Sequence, residues 1–359
     1  MTNKLKAKSG IEKSPPYIPG AHSIDGVDKV YVLSANENPL GTSADVKTAI
    51  DNIEYNRYPD GGASALRNEI ANIYNVNANN IVCGNGSDEL LHLLVHSFAS
   101  TGDEVLFSQY AFLVYKIATL TAGATPVVVG ETDYTVDVDK LLAGITDKTK
   151  IIMLANPANP TGTMLPESEI VRLIENTPDN ILIVIDCAYA EYCTDTNYGN
   201  PAKLVEKYNN VVMTRTFSKI YGLAGFRLGW CYAPDYVVDI LNRIRGPFNV
   251  SSLAQIAGAK AVKDTQFVKK SVEHNSKWLN TLTDSFKQKG FVVPDSKTNF
   301  ILVDFGSEEK ADAVYKEFLK DGLIVRAVKA YDLPSCIRIT IGNDDECKRI
   351  IDSISKMEL

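Results

Sequence analysis

A single lysine, Lys219, stands in the stretch T-R-T-F-S-K-I-Y-G-L-A-G-F-R-L-G-W (residues 214–230), between small hydroxyl residues and a glycine-rich turn. Arg227 follows eight residues later. Thr216, Ser218 and Arg227 supply two hydroxyls and a guanidinium, a set that suits an anion such as phosphate. Gly222, Gly225 and Gly229 let the backbone bend tightly and pass close to a ligand. A lysine beside an anion site is a candidate for a covalent imine with an aldehyde cofactor. The apolar segment N-V-V-M (residues 210–213) reads as a buried strand. A lysine just past such a strand end faces the crevice where open α/β sheets bind ligands.

Four more stretches carry polar residues at the ends of apolar runs, or inside them. In I-L-I-V-I-D-C-A-Y-A-E-Y (residues 181–192) five apolar residues mark a strand covered on both faces, and Asp186 follows at once. A carboxylate there is costly to bury without a partner, and a protonated pyridine nitrogen is a fitting one. Tyr189 lies three residues on and can reach the same ring's oxygen. In T-K-I-I-M-L-A-N-P-A-N-P-T-G-T (residues 149–163) a buried strand runs into a loop fixed by two prolines, which places the Asn159 amide to bind a phenolate oxygen. In N-I-V-C-G-N-G-S-D-E-L-L-H-L-L-V-H-S-F (residues 80–98) a strand enters a Gly-Asn-Gly turn and a helix starts at Ser87. The free N–H groups of that terminus suit phosphate, and the third glycine of a dinucleotide fingerprint is missing. The spacing of His92 and His96 can bind a metal, but no H-E-x-x-H glutamate lies between them. They read as a helix-face pair, with no metal site. In G-L-I-V-R-A-V-K-A-Y-D-L-P-S-C-I-R-I-T-I-G (residues 322–342), Arg326 and Arg338 interrupt strand-like runs, and two guanidiniums on converging strands of an acidic chain point to anion binding.

Together these stretches resemble the pyridoxal-phosphate aminotransferases of the aspartate aminotransferase fold. Over nearly its whole length the chain is most similar to the histidinol-phosphate aminotransferase family within that group. The resemblance implies pyridoxal 5'-phosphate as cofactor, with Lys219, Asp186 and Tyr189 as the catalytic residues. Lys219 would hold the cofactor and act as base, and Asp186 would keep its pyridine nitrogen protonated. Tyr189 and Asn159 would bind its ring oxygen, and Tyr110 would stack on the ring. Gly86, Ser87, Asp88, Thr216, Ser218 and Arg227 would surround the phosphate. Tyr58, in N-R-Y-P-D-G-G (residues 56–62), would reach that phosphate from the second subunit of a homodimer. Tyr17 in P-P-Y-I-P-G (residues 15–20) and Asn36 in S-A-N-E-N-P-L-G (residues 34–41) match an arm that closes over the substrate. The order R…L-P…R-I-T-I-G matches the family's tail, which implies Arg338 as the anchor for the substrate carboxylate or phosphate, with Arg326 helping on the phosphate. The family pattern D-E-A-Y is D-C-A-Y here; Cys187 replaces the glutamate, while the aspartate and tyrosine contacts stay. The implied reaction converts histidinol phosphate and 2-oxoglutarate to imidazole acetol phosphate and glutamate, a step of histidine biosynthesis. An aminotransferase for aromatic amino acids fits the tail arginines as well, and a pyridoxal-phosphate-dependent phosphothreonine decarboxylase shares much of the pattern. A non-catalytic protein on the same scaffold is opposed by the intact Lys219 and Asp186.

The bulk properties agree with a small-molecule enzyme. The 359 residues are 45% hydrophobic and 23% charged, enough to bury a large core. A net charge of −7 argues against nucleic acid or an anionic membrane as the partner. The six cysteines form no C-x-x-C pair and no zinc spacing, and no signal peptide or membrane span is evident. These features predict a cytoplasmic protein with reduced thiols.

The positioning elements read as an α/β chain of the type I pyridoxal-phosphate transferase fold: a large domain with a mostly parallel sheet wrapped by helices, plus a smaller α+β C-terminal domain. The expected divisions are an N-terminal arm (residues 1–45), irregular apart from a short apolar run at 30–33, a large domain (46–250) and a small domain (251–359). Tyr110 is expected to open a helix directly after a strand at 104–107, with Phe112 and Tyr115 as packing residues. Helical residues are expected from 234 to about 262, and small-domain strands at 291–293, 299–303, 323–326 and 336–341.

Overall fold

The structure is a computed structural model and describes residues 5–7, 9–14, 16, 20–27, 29–51, 53–54 and 56–357. Tyr17 lies outside the described residues.

Seven strands form the large sheet: β2 (Ile81–Gly84), β3 (Glu104–Ser108), β4 (Thr125–Val129), β5 (Thr149–Ala155), β6 (Leu182–Asp186), β7 (Val211–Thr216) and β8 (Gly229–Tyr232). Their order is β2-β8-β7-β6-β5-β3-β4, and only β8 runs against its neighbours. The central strands are short runs of Ile, Val, Leu and Met because helices cover both faces. Alternation then splits each run in two. Ile151, Met153 and Val184 pack with Leu90, Leu91 and Leu94 of the helix Ser87–Phe98. Ile152, Leu154, Ile183 and Ile185 face the opposite core, shared with the helices Ser64–Tyr74 and Glu167–Glu175. Each such side chain contributes about 1.5–3 kcal/mol on burial. The parallel register sets Ala155 beside Asp186 and Asp186 beside Thr214, so the C-terminal ends of β5, β6 and β7 lie abreast.

The small body holds a second sheet, β11 (Arg326–Ala327), β12 (Cys336–Thr340) and β9 (Phe300–Asp304), in that order and antiparallel. The helix Thr265–Gln288 lays Trp278, Leu282 and Phe286 against it. The arm is not wholly irregular. Its apolar run forms β1 (Tyr31–Val32), parallel to β10 (Leu323–Ile324), which ties the arm to the small body.

Three expected elements differ. The expected strand at 323–326 is two strands in different sheets, separated at Val325, whose side chain is buried in the core. Residues 291–293 make a single bridge, Val292 to Asp304, with Val292 half exposed. The helical region from 234 is two helices, Asp235–Ile244 and Ser252–Ala261, broken around Gly246 and Pro247, where proline lacks a donor and disfavours helix in the residue before it. The second helix, assigned by sequence to the small domain, packs Ala254, Ala257 and Ala261 into the large core. Among the described residues no helix is long and apolar enough to cross a membrane.

Candidate active site

A cleft of about 290 Å³ opens at the C-terminal ends of β5, β6 and β7, roofed by the arm and by the small sheet. Asn159, Asp186, Tyr189, Thr216, Ser218, Lys219 and Arg227 all line it. They come from loops that leave adjacent strand ends, which is why residues 60 positions apart in sequence converge.

Asp186 ends β6 and is buried. One carboxylate oxygen accepts the Tyr115 hydroxyl at 3.0 Å, and the other accepts the Thr214 hydroxyl at 3.1 Å. Burial lifts its pKa to about 6, and the hydrogen bonds from Tyr115 and Thr214 oppose that rise. Its hydroxyl partners are neutral, so the site suits a ligand bearing a positive N–H. A protonated pyridine nitrogen meets that requirement.

Lys219 leaves β7 through the turn and donates from Nζ to the Ala35 carbonyl at 3.0 Å. Burial, and then the charge of Arg338, lowers its pKa to about 8. Its ammonium lies 6.0 Å from the centre of the Tyr189 ring. The Tyr189 hydroxyl accepts from Asn36 Nδ2 at 2.8 Å, and burial pushes that phenol upward. Asn36 sits in the left-handed region (φ 57°), held by Thr340 through its backbone N–H and its side chain, each at 3.0 Å. Asn159 stands in the N-P-A-N-P-T-G loop, whose peptide bonds before Pro157 and Pro160 are cis.

The anion cradle forms where β8 starts beside the helix Ser87–Phe98. Gly229 is required by closeness: a Cβ there would sit 2.3 Å from the Ser87 backbone nitrogen. Gly86 has φ 84°, and a Cβ on it would fall 2.8 Å from Arg227 Nη2, inside the space the cradle keeps open. Arg227 reaches Ser218 Oγ at 3.3 Å and Asp88 at 3.2 Å, and the Ser218 N–H donates to Thr216 Oγ1 at 3.1 Å. A helix N-terminus, two hydroxyls and a guanidinium around an open space fit a phosphate monoester.

The substrate side is built by the small sheet. Arg326 and Arg338 are direct cross-strand partners, and both line the cleft. Arg338 is buried; it donates to Asn159 Oδ1 at 2.5 Å and to the Ser34 carbonyl at 2.7 Å, and lies 5.2 Å from the Phe300 ring centre. Its Nε is buried without a hydrogen-bond partner. Like charges placed opposite each other on a sheet repel, so this pair suits an anion that would sit between them.

One residue expected at the site of its own chain stands elsewhere. Tyr110 is not in the cleft: it lies in a turn, 6.2 Å from the Tyr134 ring, and packs toward Val328 and Cys336. The helix begins at Leu113, three residues later than expected, so Phe112, the residue just before it, faces the cleft. Tyr58 is 82% exposed and stacks on Phe248 at 4.7 Å, outside the cleft of its own chain. Tyr115, read as packing, reaches Asp186, and Thr214, His22 and Tyr331 also join the site or its support. For Thr214 the signal was present, since it lies on the strand ahead of Lys219. His92 and His96 lie with ring centres 6.3 Å apart, and among the described residues no group of three or more His, Cys, Asp or Glu could hold a metal ion.

Residues 28–354 match the family model for aminotransferase class I and II. The chain is 44% identical over 348 residues to histidinol-phosphate aminotransferase of Rhodospirillum centenum, covering 96% of both chains. The crystal structure of histidinol-phosphate aminotransferase from Sinorhizobium meliloti, in complex with pyridoxal-5'-phosphate, superposes with a TM-score of 0.85 at 27% identity, covering 90% of each chain. A mutant aspartate aminotransferase of Thermus thermophilus shares the fold, with a TM-score of 0.84 at 17% identity over 99% of each chain.

Proposed function

The chain belongs to the aminotransferase class I and II family, and we propose from that premise that it moves the amino group of histidinol phosphate to 2-oxoglutarate with pyridoxal 5'-phosphate as cofactor. The products are imidazole acetol phosphate and glutamate, in histidine biosynthesis. The observation that carries the substrate choice is the Arg326–Arg338 pair facing the same cleft as Lys219. The 44% identity to the Rhodospirillum centenum enzyme supports it.

Bound in this cleft, pyridoxal phosphate supplies an aldehyde that accepts amino groups and a conjugated ring that delocalises electrons from the substrate α-carbon. The chain's own residues supply the rest. Gly86, Ser87, Asp88, Thr216, Ser218 and Arg227 hold the phosphate. Asp186 would keep a proton on the ring nitrogen, and Tyr189 and Asn159 would hold the ring oxygen. Phe112, which lines the cleft, would cover the ring face in the place the resemblance gives to Tyr110. Lys219 is the attachment point and then the base. Burial and the Arg338 charge lower its pKa to about 8, which favours the unprotonated amine that a base requires. An amine can take the proton from the substrate α-carbon and would return it two bonds away, on the cofactor's former aldehyde carbon.

Arg338 takes the α-carboxylate of glutamate. Histidinol phosphate has no such carboxylate, and its phosphate occupies the same place with Arg326 as a second partner. One anion pocket thus serves both half-reactions, and the arm residues 34–37 line the cleft beside it. Asn36 lies among these arm residues and is the member of that arm placed to bound the substrate. Tyr17 has the same assignment by resemblance.

The working form is a homodimer in which Tyr58 reaches the phosphate of the neighbouring site. Its exposure and its stacking on Phe248 support this. A cytoplasmic setting is supported by six unpaired cysteines, five of them buried. The large and small domains would close on each other around the substrate, with the helix Ser252–Ala261 moving with the large domain. The test is a panel of amino donors with 2-oxoglutarate. Histidinol phosphate should be the best donor, and a chain that uses only aromatic amino acids overturns the assignment.

A further inference from the structure

Tyr115 sits on the helix Leu113–Ala122 with none of its surface exposed. Its ring packs edge-on against Phe107 at 6.2 Å and Phe112 at 6.0 Å. A phenylalanine would fill that space equally well and would leave no polar atom to satisfy. The hydroxyl is therefore the unexplained atom. It points away from its own helix to Asp186, 71 positions distant, at 3.0 Å.

We propose that Tyr115 is a positioning residue for the reaction, holding the Asp186 carboxylate toward the ring nitrogen of the cofactor; this rests on the function proposed above. Asp186 lies at the end of its strand and cannot be steered by its own backbone alone. Tyr115 takes one oxygen and Thr214, from the neighbouring strand, takes the other. The two donors thus hold one carboxylate oxygen each. A hydrogen bond from outside the contact shell that orients a contacting group is a familiar way to tune a bound cofactor.

Electrostatics point the same way. Burial disfavours the Asp186 anion, Asp88 adds like charge, and the Tyr115 hydroxyl is the largest of the opposing influences. The phenol is itself pushed well above its ordinary value, first by burial and then by Asp186, so it stays a donor at all working pH. The remaining groups near the carboxylate are Cys187, whose thiol burial lifts to about 12, and Tyr189, a phenol also raised by burial. Both are uncharged at neutral pH. Without the Tyr115 hydroxyl, Asp186 would protonate more readily, and a neutral acid holds a pyridinium less firmly.

The experiment compares holoenzyme of the wild type, Tyr115→Phe and Asp186→Asn. Three quantities are read: the dissociation constant of pyridoxal phosphate, the pH titration of its near-visible absorbance in the protein, and the melting temperature of the cofactor-free chain. Tyr115→Phe should weaken cofactor binding about tenfold, the loss of one hydrogen bond to a charged group. It should also move the midpoint of the titration, and the cofactor-free chain, which already makes this bond, should melt only modestly lower. Placing 3-fluorotyrosine at position 115 keeps the shape and strengthens the donor, and should move the midpoint the opposite way. That variant decides the matter if Tyr115→Phe does not fold: an unmoved midpoint overturns the proposal. Wild-type binding and titration in Tyr115→Phe, with both lost in Asp186→Asn, also overturn it and leave the proposed function standing. A wild type that binds no pyridoxal phosphate overturns both.

Discussion

Arg326 and Arg338 face each other across adjacent antiparallel strands, as direct register partners. They are not equivalent. Arg338 is buried and fastened to Asn159 and to the Ser34 carbonyl. Arg326 is only partly buried, and it lines the outer cleft near Gly20. Arg338→Ala should therefore slow the glutamate and histidinol phosphate half-reactions alike, since it removes the shared anchor and loosens Asn159. Arg326→Ala should slow chiefly the histidinol phosphate half-reaction. A lost hydrogen bond to a charged group costs about 1.5–3 kcal/mol, or roughly tenfold to hundredfold in specificity constant. Equal losses in both half-reactions for Arg326→Ala would refute the division of labour.

The low pKa of Lys219 has a measurable sign. Burial and the Arg338 charge hold the amine at about 8 rather than 10.5. In the cofactor-free chain its reactivity toward an amine-acylating reagent should rise through about pH 8, below the surface lysines. Arg338→Ala removes a positive charge and should raise that midpoint. Peptide mapping after timed labelling reads both, and a Lys219 midpoint at the ordinary lysine value would contradict the enclosed site.

Tyr58 tests the dimer. Alone, Tyr58→Phe should weaken cofactor binding several-fold without lowering stability, because the ring is exposed and keeps its stack on Phe248. Mixing Tyr58→Phe chains with Lys219→Ala chains gives the sharper reading. If Tyr58 acts across the interface, each heterodimer has one site free of both defects and one carrying both. Heterodimers whose sites all behave like one parent or the other would place Tyr58 outside the neighbouring site.

Behind the lysine strand lies a buried ion pair, Arg215 to Glu191 at 2.8 Å, with Tyr74 donating to Glu191 at 2.7 Å. Removing one partner leaves a buried charge unpaired. Glu191→Ala should therefore cost about 3–5 kcal/mol in a denaturant melt. Replacing both residues with methionine should recover much of the loss. A single-variant cost below about 1 kcal/mol would show that water already reaches the pair.

The sequence made the reacting groups legible because each lies at the end of an apolar run. Lys219, Asp186 and Asn159 needed only the rule that buried parallel strands deliver their next residues into a crevice. Whatever depends on the phase of a turn was harder to read. Tyr110 and Phe112 are two residues apart, and a helix starting at Leu113 instead of near 110 exchanges which ring meets the cleft. Contacts between distant segments left no local mark. Tyr115 has the spacing of any core residue, and its bond to Asp186 exists only once the helix packs on the sheet. The same holds for β1 pairing with β10, and for the bond between Arg338 and Asn159, 179 positions apart. Short strands such as β10 and β11 carry too few residues for alternation to show where one sheet ends and another begins.

One cleft, with Lys219 on one side and the paired arginines on the other, should transfer the amino group of histidinol phosphate. Single-turnover absorbance of the holoenzyme tests this most directly. Histidinol phosphate alone should convert the near-visible band in one exponential phase, and 2-oxoglutarate added afterwards should restore it. Lys219→Ala should show neither change. A wild-type band that ignores histidinol phosphate but responds to an aromatic amino acid would contradict the account.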